Sequence, residues 1–274
     1  MDPIVSFVGL GAFAGVLAGL LGVGGGLVIV PVLVFIFQSQ GMDPSVIVHL
    51  AIGTSLATIL VTSLSSVWAH HRRGAVLWPI VFLLAPGIVL GTWLGAEIVH
   101  QLPSKTLQVF FGIFELIVAA QIGVGFRPAL HRILPGRAGM WGAGGVIGFI
   151  SGMMGIGGGS LTVPFLLWCN VAVRNAVATS SACGVPIAAA GSLGFVVVGL
   201  GVSLPPHSTG YLYWPAWFWV SIASLSTAPL GAWLAHTVPT DSLKRFFALF
   251  LVFLGIHMLG SVYFQTIDEV ASAL

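Results

Sequence analysis

Two glycine-rich breaks are the residues best placed to do chemistry in this chain. "GLLGVGGGLVIVPVL" runs from Gly19 to Leu33, and "GMMGIGGGSLTVPFL" runs from Gly152 to Leu166. Each interrupts an apolar run with three adjacent glycines, Gly24, Gly25 and Gly26 in one and Gly157, Gly158 and Gly159 in the other. A helix that restarts after such a break presents up to four N–H groups with no carbonyl in their own helix. That end carries roughly half a positive charge, and glycine lets a ligand approach the backbone with no side chain between. The chemistry on offer is capture of an anion by backbone donors. Close helix packing through small residues is the competing use of glycine. It is the better reading of Gly11, Gly15 and Gly19 and of Gly148 and Gly152, which recur every four residues. Pro31 and Pro164 leave a second choice open, because proline suits a first helical turn. If the helices start there, the glycines are irregular backbone rather than helix caps.

Side chains that could complete an oxyanion site follow each break. Thr54 and Ser55 in the first half match Thr179 and Ser180 in the second, and their hydroxyls are either donors to a ligand or bonds within the helices. His49 and Arg174 each precede the Thr-Ser pair by five residues. Arg174 offers a guanidinium fork for an oxyanion, or snorkels to the membrane surface. His49 falls near the outer face, as an interface residue, a gate or a proton site. Glu115 lies about 16 Å into an apolar segment, where a carboxylate defaults to a functional role such as proton coupling or gating. His257 lies at comparable depth and reads as a neutral core histidine before a proton relay, while His100 and His236 read as structural. No histidine or cysteine spacing suits a metal, and no phosphate loop or hydrolase motif occurs. No metal, cofactor or enzymatic activity is expected. "HHRRG" from His70 reads as a charged loop, not a nucleic-acid contact.

The elements that must position these residues follow from composition and charge. Only 6% of 274 residues are charged and mean hydropathy is +1.08, against about a quarter charged in soluble domains. The solvent for most of this surface must therefore be hydrocarbon, which implies an all-α polytopic membrane protein. The first residues, "MDPIVSF", lack the basic start of a cleavable signal. Cys169 and Cys183 read as small core hydrophobes. Breaks at glycine, proline and charge predict ten helical segments, near 4–22, 24–38, 45–69, 76–99 and 104–125, then 138–155, 158–170, 174–200, 213–236 and 241–264. The two glycine breaks fall in hairpins 1/2 and 6/7.

The chain is internally duplicated. The two glycine-rich stretches agree at 8 of 15 positions, and "GAEIVHQLPSKTLQVFFGIF" from Gly95 agrees with "GAWLAHTVPTDSLKRFFALF" from Gly231 at 8 of 20. With the Thr-Ser blocks, three matches occur in one order, too many for chance among apolar sequences. The expected division is a first repeat over 1–126, a basic linker over 127–137 and a second repeat over 138–274. Ten crossings place eight of nine basic residues, all but Lys105, on one face. The positive-inside rule makes that face cytoplasmic and leaves both termini outside, as in a bacterial inner membrane. Five segments per half is odd, so the second repeat enters from the opposite side. Many secondary transporters are such inverted repeats, with substrate held between the halves near mid-depth.

The doubled "G-x-x-G-x-G-G-G…P", followed in each half by a Thr-Ser helix start, resembles the TauE/SafE family of sulfite exporters, also called the toluene-sulfonate uptake permease family. The resemblance spans both halves. It implies transport of sulfur-containing anions such as sulfite, thiosulfate or small organosulfonates, in either direction. By motif match it carries over Gly24–Gly26, Pro31, Gly157–Gly159 and Pro164, with the paired Thr54–Ser55 and Thr179–Ser180. The expected partners are a small sulfur-containing anion and the lipid bilayer, with no nucleic acid, and a homodimer is left open. The competing expectation is a membrane enzyme or assembly subunit whose glycines serve packing alone.

Overall fold

The computed structural model describes residues 2–21, 25–124, 133–237 and 240–273. It is 82% helical, an all-α polytopic architecture. The helices are α1 (Pro3–Leu21), α2 (Gly26–Ser39), α3 (Ile47–Arg72), α4 (Trp78–Gln101) and α5 (Ser104–Val124), then α6 (Arg137–Met154), α7 (Gly159–Trp168), α8 (Val173–Val198), α9 (Trp214–Thr237) and α10 (Thr240–Ala273). Their starts lie within a few residues of those expected, and α10 runs on well past the expected end. A two-stranded hairpin, β1 (Ser208–Thr209) with β2 (Leu212–Tyr213), was not foreseen. It leads from α8 to α9 and buries Tyr211. Of the basic linker, residues 127–132 lie outside the described residues, and Arg137 already belongs to α6.

Burial divides the helices by role. α3 and α8 form the centre, packed against one another, and α3 alone buries Ile47 through Ile59 without a break. That continuous burial explains its weak amphipathic pattern: a helix surrounded by protein needs no polar face. The outer helices keep large apolar side chains exposed, such as Phe82 and Leu90 on α4 and Leu249 and Phe253 on α10. Such exposure is stable against hydrocarbon rather than water. Among the described residues five helices are long and apolar enough to cross a bilayer. α2 with 14 residues and α7 with 10 are not; at 1.5 Å per residue they reach about 21 and about 15 Å, against about 30 Å of hydrocarbon.

The two halves pack reciprocally. The first helix of each lies along the fourth of the other, α1 on α9 and α4 on α6. Small residues let these backbones meet: a Cβ on Gly11 would fall 2.6 Å from the Val220 carbonyl oxygen, and one on Gly95 would fall 2.7 Å from that of Phe149. Thr92 and Thr227 tie the same two seams, donating to the carbonyls of Gly148 (3.1 Å) and Ala12 (2.9 Å). Equivalent helices run antiparallel. Leu56 meets Gly191 while Ser63 meets Gly184 across α3 and α8. Across α5 and α10, Gly112 meets Leu259 while Leu116 meets Gly255.

Candidate functional site

The site begins with two backbone turns of the same shape. Gly25 caps α2 at φ 73°, ψ −14°, and Gly158 caps α7 at φ 75°, ψ −5°. This left-handed conformation is costly for any residue with a Cβ, which explains a glycine at each position. In both turns the glycine carbonyl accepts from the third and fourth residues on. Val28 and Ile29 return to Gly25 (3.0 Å each), and Leu161 and Thr162 return to Gly158 (3.1 and 2.7 Å). The helices therefore begin at Gly26 and Gly159, five residues before Pro31 and Pro164. Starting at the prolines is excluded. The N–H groups of the first two residues of each helix have no carbonyl in their own helix, and no side chain caps either start.

The turns meet at the centre of the molecule. A Cβ on Gly26 would lie 2.7 Å from the Gly155 carbonyl oxygen and 2.8 Å from the Ile156 Cα, so the start of α2 rests on the backbone leading into α7. Ile59 of α3 closes over both, reaching Gly26 and Gly157. Gly25, Gly26, Gly157, Gly158 and Gly159 are all buried; Gly24 lies outside the described residues. A groove of about 510 Å³ lies elsewhere, on the outer side of the α4–α6 seam between Leu90, Trp141 and Phe149.

The paired hydroxyls are almost fully buried, and one of them, Ser55, reaches the second turn. Ser55 donates to the Gly155 carbonyl (2.8 Å), fastening α3 to the second turn. Thr54 and Thr179 act as acceptors across the halves. The Tyr213 N–H, ahead of α9, donates to Thr54 Oγ1 (3.1 Å), and the Leu77 N–H, ahead of α4, donates to Thr179 Oγ1 (3.1 Å). Each threonine thus caps the fourth helix of the opposite half, and Leu77-Trp78-Pro79 matches Tyr213-Trp214-Pro215 in sequence at both ends of the bond. That shared Trp-Pro was the signal available for this link. Ser180 Oγ finds no partner among the described residues.

Other expected residues lie away from the turns. His49 is buried, with Nε2 2.9 Å from the Val99 carbonyl and 3.1 Å from that of Leu102, and its ring stacks on Tyr211 at 5.0 Å. Two carbonyls at one nitrogen make Nε2 the donor, so His49 ties the start of α3 to the end of α4. His100 Nδ1 pairs with the Tyr211 hydroxyl at 3.0 Å in the same cluster. Arg174 is exposed and donates to the Arg73 carbonyl (3.1 Å), binding the start of α8 to the α3–α4 connection rather than to the glycines. His257 is not in the core: it is exposed on α10, edge-on to Phe35 at 5.7 Å. The helical spacing placed it correctly on α10 but could not tell which face turns outward. Glu115 has no exposed surface, and neither carboxyl oxygen has a partner among the described residues. It shares a face of α5 with Gln108, seven residues earlier, which accepts from Ser261 of α10 at 3.1 Å.

Two hydroxyls that sequence reasoning passed over stand beside the second turn. Ser151 and Thr162 are buried, and both hydroxyls are unpartnered among the described residues. Their counterparts under the repeat, Ala18 and Ile29, carry no polar atom, and that mismatch was legible.

A family model, Sulfite exporter TauE/SafE, matches residues 7–258. The chain belongs to this family. Curated relatives agree over nearly their full length: a probable membrane transporter protein of Haemophilus influenzae is 35% identical across 91% of this chain and 95% of its own. Another from Methanocaldococcus jannaschii is 27% identical across 94% and 95%. No solved structure matches. With these relatives and its apolar helices, the protein is a multi-pass membrane transporter.

Proposed function

We propose that the protein is a secondary transporter of small sulfur-containing anions, of the sulfite, thiosulfate or organosulfonate class, working by alternating access between two inverted repeats. The reading is carried by one observation: two left-handed glycine turns, buried beside the central helices, direct uncapped helix starts at the contact between the halves. Helix starts of this kind favour negative charge, and an irregular backbone inside a membrane is stable where it is enclosed by protein or lines a cavity. Repeats over 1–126 and 138–274 account for the reciprocal seams and for the antiparallel course of equivalent helices. α2 and α7, too short to cross, then enter from opposite sides and stop at mid-depth. Arg73 and Arg174 share one end of the molecule, in keeping with a cytoplasmic basic face and extracytoplasmic termini.

Glu115 is the candidate coupling group. A buried carboxylate with no partner is stable when protonated, so it can carry a proton through the transport cycle. Purified protein in proteoliposomes should move radiolabelled sulfite or methanesulfonate faster under an imposed pH gradient, and Glu115→Gln should abolish the gradient's effect while leaving exchange at equal pH. No flux of any of these anions by folded protein overturns the transport reading in favour of a packing or assembly role. Gradient-driven flux that survives in Glu115→Gln removes the coupling assignment alone.

A further inference from the structure

Resting on that reading, we infer that the two glycine turns do not share the anion: the second turn alone binds the oxyanion head, through the Ser151 and Thr162 hydroxyls and the first N–H groups of α7. At Gly158 both hydroxyl oxygens converge on one point, Thr162 Oγ1 at 3.3 Å and Ser151 Oγ at 3.6 Å from where a Cβ would project. Both residues have no exposed surface, and both hydroxyls lack a partner among the described residues. Several serines and threonines bond back along their own helix, as Thr58 does to Thr54 (2.9 Å) and Ser192 does to Ala188 (2.6 Å). Ser151 and Thr162 do not take that option. Two buried donors left unmade at one point, in front of a helix start, fit an oxyanion that completes them.

The first turn has the same backbone and the opposite lining. A Cβ on Gly25 would meet the Ala14 carbonyl oxygen at 3.5 Å, the Ile29 Cδ1 at 3.6 Å and the Ala18 Cβ at 3.7 Å, one acceptor and two apolar atoms. Those atoms give an anion nothing to bond. The recognised ligand is therefore an anion with one polar head, its other side against apolar wall, which suits a small organosulfonate as well as sulfite. The Ile187 Cδ1 stands against Gly158 at the point where the hydroxyls converge; the anion enters as that flexible end turns away.

The test measures methanesulfonate and sulfite binding by ligand-dependent thermal stabilisation of the full chain in detergent. Thr162→Val with Ser151→Ala should weaken Kd by roughly tenfold or more, the effect expected of lost bonds to a charged group. Thr162→Ser should retain binding. Because these hydroxyls bond nothing among the described residues, the ligand-free melting temperature should hold or rise, whereas hydroxyls with a structural role would lower it. Ala18→Ser in the first turn should leave binding unchanged. Unaltered Kd in the double variant, or an equal loss from Ala18→Ser, overturns the inference. Wild-type protein that neither binds nor transports either anion overturns the transport reading instead.

Discussion

The turns at Gly25 and Gly158 agree in φ to 2° and differ in nearly everything that touches them. Backbone shape is set by local chemistry that the duplication preserved: glycines, a restarted helix and a proline five residues after its first residue. Lining is set by positions that nothing local constrains, and there Ala18 and Ile29 face Ser151 and Thr162 as their repeat counterparts. The two turns share a backbone shape and differ in the side chains that line them. The seam threonines make the opposite case. Thr54 and Thr179 accept bonds of the same length from equivalent N–H groups, because each closes the start of a helix that both halves need.

Substitutions can break or sharpen this contrast. The largest effect belongs to Gly26→Val, whose Cβ must enter the backbone of Gly155 and Ile156. Neither can yield as a flexible side chain would, so a loss of roughly 3 kcal/mol is expected. A melting temperature like that of the wild type would mean that the turns do not touch. Next come Gly25→Ala and Gly158→Ala. Both carry the left-handed strain of about 1–2 kcal/mol, and Gly158→Ala should cost more because Ile187 stands in its path. Adding Ile187→Ala should remove the difference between them, as a double-mutant comparison of melting temperatures would show. The smallest effects belong to the seam. Thr54→Val and Thr179→Val each leave a backbone N–H unpaired, at about 1 kcal/mol or somewhat more, and serine at either position should restore most of it. Markedly unequal losses would break the reciprocity of the halves.

Much of the fold was legible in advance. Apolar runs broken by glycine, proline and charge located all ten helices, since hydrocarbon demands long uninterrupted hydrogen-bonded segments. The β1–β2 hairpin was missed because its strands are two residues each and its buried Tyr211 looks like any aromatic residue near a membrane surface. Of the candidate residues, the glycine stretches and Ser55 come together, whereas Thr54 and Thr179 bond the residues ahead of α9 and α4, and Arg174 and His257 lie exposed. A motif carries its own local geometry, but a lone charged or aromatic side chain has no partner written beside it in the sequence.

The sequence by itself determined a hydrocarbon-facing helical protein, its duplication and the two glycine turns, because hydropathy, repetition and backbone freedom are properties of neighbouring residues. Only the tertiary structure decided that the turns meet, that each half bonds the start of a helix of the other, and that two hydroxyls without a partner among the described residues stand at the second turn. The first two depend on contacts between residues more than a hundred positions apart, and no local pattern specifies which partner a buried polar atom will find or lack.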